Sequence, residues 1–239
     1  MKPESPLKNR SRSTHAELLI ALVGLIFIQS WLSPDNQLHR AFFNGLFFLV
    51  VLSAIRALSE STWRMYMTLA LGAVAYAISW VNDSVGSFWF SAIGDTCFAS
   101  VFAVLTFTVG QSVFSRGPVD ARRIIGAVSI YFLLGLLWAF FYTLIELIEP
   151  GSFRIANADA ESQSNSRLLS EFIYFSNVTL TTLGYGDIVP ESRPAKTMAL
   201  LEAMLGQLYI AIVIARMVGM QVAQHQKEPE RDKLVESES

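Results

Sequence analysis

Charge is what this sequence has little of. Only 16% of its 239 residues are Asp, Glu, Lys or Arg, and 52% are hydrophobic. A soluble domain of ordinary composition carries about 25% charged residues. With a mean hydropathy of +0.41, the chain reads as an integral membrane protein before any motif is considered. Cysteine is nearly absent: Cys97 is alone, in an apolar run, so no intrachain disulfide can form. The three histidines, His15, His39 and His225, are scattered, and no nucleophile–base pair is visible, so an enzyme reading has no support. A net charge of −2 gives no ground for a nucleic-acid partner.

The apolar residues fall into six runs. Residues 1–15 are polar and hold Lys2, Lys8, Arg10 and Arg12; a first span follows over Ala16–Leu32. At 17 residues it is short for a crossing of the bilayer. A basic start before an apolar run also fits a signal peptide, but no small-x-small cleavage site precedes Ser33-Pro34. Further spans are expected near Ala41–Leu58, Trp63–Val81, Trp89–Phe114, Ile124–Ile148 and Thr197–Met220. The short loops among the first four make neighbours antiparallel. The longest internal polar segment, Glu149–Ser170, follows the fifth run. Residues 221–239 are charged, contain Pro229 and read as a largely disordered tail. Placing both termini inside puts thirteen of the 18 Lys and Arg on the inner side, and five outside: Arg40, Arg154, Arg167, Arg193 and Lys196. That asymmetry favours cytoplasmic termini in a cell membrane.

The stretch Thr181-Thr182-Leu183-Gly184-Tyr185-Gly186-Asp187 is what the other spans would hold. Two glycines alternate with bulky residues, after a short apolar segment and before Pro190. Glycine accepts φ > 0 without steric cost, so Gly184 and Gly186 let the backbone alternate in handedness. In such a ribbon consecutive carbonyls can face one side, as a coordination shell for a dehydrated cation does. A Gly-x-Gly alone would mean only a turn between helices. Here it is embedded in seven residues between two runs long enough to span.

This stretch resembles the potassium-channel signature, with Leu183 where the commonest version has valine. The resemblance is tight over about Leu168–Gly219 and rests elsewhere on hydropathy alone. It implies an all-α membrane protein: six transmembrane helices, with a re-entrant pore helix and selectivity filter between the fifth and sixth. The division it suggests is a four-helix region over 16–115, a pore domain over 116–220 and the tail over 221–239. Potassium would be coordinated by Thr182, Leu183, Gly184 and Tyr185, with Gly186 closing the outer mouth. Potassium is the permeant ion, and no cofactor is expected. One filter loop per chain implies a homotetramer, because a lone loop in lipid would leave irregular backbone unsatisfied.

The resemblance also assigns supporting roles. Asp187 would sit behind the filter and accept a hydrogen bond from Tyr174; the plainer reading is an exposed acid attracting cations. Some family members place a buried glutamate where this chain has Val178. Gly206 stands at the family's hinge position, nineteen residues after Asp187, or is a small residue for close packing. Gln207 would line the cavity. Glu202 is an acid inside the sixth span, near the outer interface or paired, and Arg216 would snorkel to the inner headgroups. The expected activity is passive potassium conduction. The alternatives are a subunit of a potassium uptake transporter, which carries four degenerate loops per chain, and a regulatory channel subunit.

Voltage sensors of this family carry several arginines at three-residue spacing on the fourth span. Ser91–Ser115 has none; its ionisable side chains are Asp95 and Cys97. Asp95 is either a functional acid or one bonded locally to a hydroxyl such as that of Thr96. Each charge crossing the field contributes about 2.3 kcal/mol per 100 mV, so a steep response needs several moving charges. Open probability should therefore depend weakly on voltage. A conductance–voltage curve in symmetric potassium checks this, and a steep sigmoid that survives Asp95→Asn contradicts it.

Overall fold

Long apolar runs free of proline become helices here, and the helices pack through stripes of residues three and four apart. The computed structural model describes residues 16–27, 50, 62–85, 87–115, 121–156 and 165–237. In order these form α1 (Ala16–Phe27), α2 (Thr62–Val85), α3 (Phe88–Val113), α4 (Ala121–Ile148), β1 (Phe153–Ile155), α5 (Asn165–Leu180), β2 (Ile188–Pro190) and α6 (Arg193–Ser237). Among the described residues three helices are long and apolar enough to cross a membrane: Phe88–Val113, Arg123–Ile148 and Arg193–Val222. These correspond to the fourth, fifth and sixth expected spans. The first is described over Ala16–Phe27, and the third lies within α2. The second, Ala41–Leu58, lies outside the described residues apart from Val50.

Hydroxyl groups inside these spans find partners on their own helix. Thr96, Ser100, Thr106 and Thr108 of α3 donate to carbonyls four residues back, as do Ser129 and Thr143 of α4. Such back-bonding satisfies a polar group that lipid could not. It leaves the apolar stripes free to pack. On α3 the buried face includes Val101, Phe102, Leu105 and Val109. Phe98 and Phe102 stack on Phe140 of α4, at centroid distances of 5.7 and 5.6 Å. Leu18, Leu22 and Leu25 form the buried stripe of α1.

The core therefore sits where α1, α3, α4 and α5 meet, and α6 lies at its edge. Within its span only 11% is buried, against 56% for α4. Leu200, Met204, Leu208, Ile212 and Val218 are all exposed. Ser192 opens α6, its hydroxyl accepting from Ala195 N–H at 3.3 Å, and Pro194 falls in the first turn, where its missing N–H is harmless. The helix then runs 45 residues, about 68 Å at 1.5 Å per residue. It thus continues through 221–237, where the sequence argued for a largely disordered tail. The Gln, Glu, Lys, Ala and Leu content of that stretch favours helix more than its charge suggested.

Two close approaches fix α4, α5 and α6 to one another. Gly135 of α4 faces Asn177 of α5, whose Oδ1 lies 3.2 Å from where a Cβ would stand. Gly206 of α6 is buried against the last residue of α5: a Cβ there would lie 2.9 Å from both the carbonyl oxygen and the Cδ2 of Leu180. This contact gives Gly206 a packing reason to be glycine, in a helix that runs unbroken through it. Gly206→Ala separates the two readings. Alanine improves intrinsic helix stability by roughly 1 kcal/mol, whereas overpacking costs about 1–3 kcal/mol. The substitution should lower the melting temperature of the detergent-solubilised protein; a raised one would leave flexibility as the glycine's only use.

Candidate functional site

The short helix α5 sets the position of everything after it. Its 16 residues extend about 24 Å, less than the roughly 30 Å hydrocarbon core. Its C-terminal carbonyls are all accounted for. Asn177 O accepts from Thr181 N (3.1 Å) and Thr181 Oγ1 (2.7 Å), Val178 O from Leu183 N (2.9 Å), and Thr179 O from Thr182 N (3.0 Å). Leu180 O accepts from the phenol of Tyr131 on α4 at 2.7 Å. Tyr131 stacks on Tyr209 of α6 at 6.0 Å, and Tyr209 donates to Ala127 O at 2.7 Å. The helix end is thus held by two neighbouring helices.

Beyond it the backbone alternates. Thr182, Gly184 and Gly186 have φ of 58°, 58° and 80°. The glycines adopt this freely, but a β-branched residue at positive φ is a real outlier. Such strain persists only where the surroundings over-determine it, and the bonds of Thr181, Thr182 and Leu183 back to α5 do so here. Among the described residues no backbone N–H donates to the carbonyls of Thr182, Leu183, Gly184, Tyr185 or Gly186. In the single chain these residues are exposed, Leu183 at 54% and Tyr185 at 67%. Gln207 of α6 comes near, its Nε2 at 3.5 Å from Thr182 Oγ1.

The far end of the ribbon, at Asp187, is tied down separately. Asp187 Oδ2 accepts from the Tyr174 phenol at 2.6 Å, and Oδ1 from Ile188 N at 3.0 Å. Partial desolvation, then the hydrogen bond and charge of Asp187, push the Tyr174 phenol up to about 12, so it keeps its proton as donor near neutral pH. Asp187 O accepts from Ala156 N at 2.8 Å. Strand β2 follows at once and pairs antiparallel with β1, in the register Phe153↔Pro190, Arg154↔Val189 and Ile155↔Ile188. The turn before β1 has Gly151 at φ 86°. Its Gly151 and Phe153 N–H groups donate to the buried Glu146 carboxylate at 2.7 and 3.0 Å. Phe153 then inserts between Phe172 (4.7 Å), Tyr142 (5.3 Å) and Phe175 (5.6 Å).

Sequence reasoning did not find this two-stranded sheet, because three-residue strands, one within Glu149–Ser170 and one after Asp187, carry too little alternation to be seen. It also left Glu202 open. Glu202 is fully buried, its carboxyl group against the Tyr142 and Ser176 hydroxyls. Val178, where a glutamate was considered, is buried as well. Asp95 is not bonded to Thr96, whose hydroxyl donates to Ala92 O; Asp95 Oδ2 is buried without a partner among the described residues. Arg216 does not reach for headgroups: its guanidinium donates to Phe114 O and lies 5.1 Å from the Phe114 ring centroid.

Residues 124–222 match the Ion_trans_2 family, described as an ion channel. Human voltage-gated potassium channel regulatory subunit KCNG1 is 34% identical over 80 residues, covering 34% of this chain and 15% of that protein. Two pore potassium channel a of Oryza sativa subsp. japonica is 31% identical over 84 residues, 35% of this chain and 23% of that one. This part of the chain is thus similar to an ion-channel family and to potassium-channel proteins. Protein LctB of Bacillus caldotenax is 28% identical over 112 residues, covering 47% of this chain and 81% of its own length. The chain spans only about 15% of the length of the first curated relative it matches. No solved structure matches.

The channel-family segment contains the whole ribbon and both of its anchors. Tyr174→Phe removes the donor to Asp187 while leaving the ring. A hydrogen bond to a charged group contributes about 1.5–3 kcal/mol when sheltered, and solvent access to this one brings the expectation to about 1 kcal/mol. Thermal unfolding in detergent should show that loss, and an unchanged midpoint would mean the bond is idle.

Proposed function

We propose that the chain forms a potassium-selective pore, four copies contributing one ribbon each around a shared axis. The observation that carries this reading is the ribbon itself: positive φ at alternate residues Thr182, Gly184 and Gly186, with carbonyls that accept no backbone hydrogen bond within the described chain. Backbone carbonyls at membrane depth must be satisfied. A dehydrated potassium ion, coordinated by Thr182, Leu183, Gly184 and Tyr185 from four chains, satisfies them and is satisfied in return. The Thr182 hydroxyl completes the inner end, and Gly186 closes the outer mouth.

Four features support fourfold assembly and the supporting roles. One loop supplies a quarter of a ring, and closure by rotation is the economical solution. The exposed side chains of Leu183 and Tyr185 and the exposed length of α6 offer the surface that neighbours would cover. Asp187 and Tyr174 hold the ribbon from behind. Gln207 lies at its inner end, where an aqueous cavity would begin, and the negative C-terminal end of α5 favours a cation there. Gating in this reading uses a stimulus other than arginine-based voltage sensing, both termini are cytoplasmic, and Gly206 serves the packing of α6 on α5 whether or not it also bends.

A second reading has one observation in its favour: the name of KCNG1 describes a regulatory subunit. In that case the chain would conduct only when assembled with another channel. The two separate cleanly in liposomes. Purified protein alone should carry potassium and rubidium and largely exclude sodium, and its mass in mild detergent should be four times 26.6 kDa. Gly184→Ala should abolish flux with the chain still inserted, because its φ of 58° disfavours any Cβ. Comparable sodium and potassium fluxes would overturn selectivity; a silent wild-type protein that gains flux beside a second channel would favour the subunit reading.

A further inference from the structure

The sixth-span acid Glu202 has a surrounding that decides its protonation. It comes from α6, and its two carboxyl oxygens lie against hydroxyls from two other helices. Oε2 is hydrogen-bonded to Tyr142 of α4, and Oε1 to Ser176 of α5. Ser176 Oγ also lies 2.8 Å from the carbonyl oxygen of Gly135 on α4. All three side chains are fully buried. Among the described residues no cationic side chain pairs with Glu202.

Counting hydrogens makes the arrangement specific. There are three oxygen–oxygen contacts, and each needs one hydrogen. A phenol and an aliphatic hydroxyl bring one each, and a backbone carbonyl can only accept. The Ser176 hydrogen must therefore go to Gly135 O, and the Tyr142 hydrogen to Glu202 Oε2. The contact between Ser176 Oγ and Glu202 Oε1 then has no hydrogen unless Glu202 carries one. An ionised carboxylate would also stand inside the membrane without a counter-charge, a costly state. A carboxylic acid satisfies every member of the group, and a fully satisfied buried network is rigid.

We propose that Glu202 is a neutral carboxylic acid whose hydroxyl donates to Ser176, locking the inner helix α6 to the filter-bearing helix α5 and thereby positioning the ribbon. This rests on reading the chain as a potassium pore, and it makes Glu202 a positioning residue that does not touch the ion. Ser176 precedes the ribbon by six residues, and Gly206 lies one helical turn beyond Glu202. The acid and the glycine therefore seat neighbouring turns of α6 on α5, one by a hydrogen bond and one by close approach.

Infrared spectra of the purified full-length protein test the proton directly. The wild type should show the C=O stretch of a protonated carboxylic acid that is missing from Glu202→Gln. That band should move when its partners are removed singly, in Ser176→Ala and in Tyr142→Phe. Absence of any such wild-type-minus-Gln band at neutral pH overturns the proposal, whether or not the protein conducts. Flux supplies the second arm. Glutamine can accept from Tyr142 and donate to Ser176, so Glu202→Gln should keep the potassium flux that Glu202→Leu loses. Loss of flux in both, with Glu202→Gln still tetrameric, would mean that a negative charge is required and would sink the neutral acid. If wild-type protein is silent, the pore reading fails separately, and the infrared result still decides the state of Glu202.

Discussion

Backbone carbonyls that accept no hydrogen bond are the constraint on which the rest of the structure depends. In water they would cost little, because solvent would serve them. In a lipid environment each one left unpaired costs several kcal/mol, and among the described residues five in succession accept no backbone hydrogen bond here, so the ribbon needs rigid support. The holding is visible in bonds of known length. At the inner end the Tyr131 phenol takes Leu180 O at 2.7 Å, and Leu183 N reaches back to Val178 O at 2.9 Å. At the outer end Asp187 is gripped by Tyr174 and by the N–H of Ile188, and its own carbonyl by Ala156. Thr182 at φ 58° is the residue that pays for this in strain. It is also the point where α5 stops being able to continue as a helix.

The same constraint explains where polar groups are found elsewhere. Hydroxyls on α3 and α4 turn back onto their own helices, and the acids Glu146 and Asp187 are placed against donors. Glu146 takes two backbone N–H groups of the turn before β1, and so anchors the two-stranded sheet that anchors Asp187. The ion pair between Arg154 and Glu191, at 3.1 Å, is exposed and contributes little by comparison. The two-stranded sheet stands on Phe153 in its aromatic pocket and on the Glu146 bonds, and the surface charges only decorate it.

How much of this could be read from the sequence depends on range. The ribbon was legible because its requirement is local: Gly184 and Gly186 signal positive φ without reference to anything distant. Thr182 gives no such signal, since its positive φ is imposed by bonds to α5. The proximity of Tyr174 to Asp187 was anticipated from the family pattern, and the two are hydrogen-bonded. The contacts between distant residues were not legible. Tyr131 to Leu180 spans 49 positions and Tyr142 to Glu202 spans 60. A tyrosine in an apolar run looks the same whether it packs or caps. Hydropathy located α3, α4 and α6 well because each is long and apolar. It placed the third span on α2, and it did not foresee that α6 would continue as helix through 221–237.

Arg216 shows how these long-range contacts bear on the mechanics of the fold. The end of α3 has unpaired carbonyls and the negative pole of its dipole. Two arginines from different elements are drawn to it. Arg216 of α6 donates to Phe114 O and covers the Phe114 ring, while Arg123 of α4 donates to Ser115 O at 2.7 Å and to its hydroxyl at 3.2 Å. Arg123 also approaches the Met220 sulfur on α6 at 4.0 Å. The far end of α6 is therefore fastened to α3, just as its middle is fastened to α5 by Glu202 and Gly206. A helix with so little of its span buried is held at discrete points, not along its length. Displacing α3 would have to carry α6 with it or break a charge-assisted bond in a low-dielectric setting. That gives α3 and α4 a mechanical hold on α6, whose middle also packs on the helix that bears the ribbon.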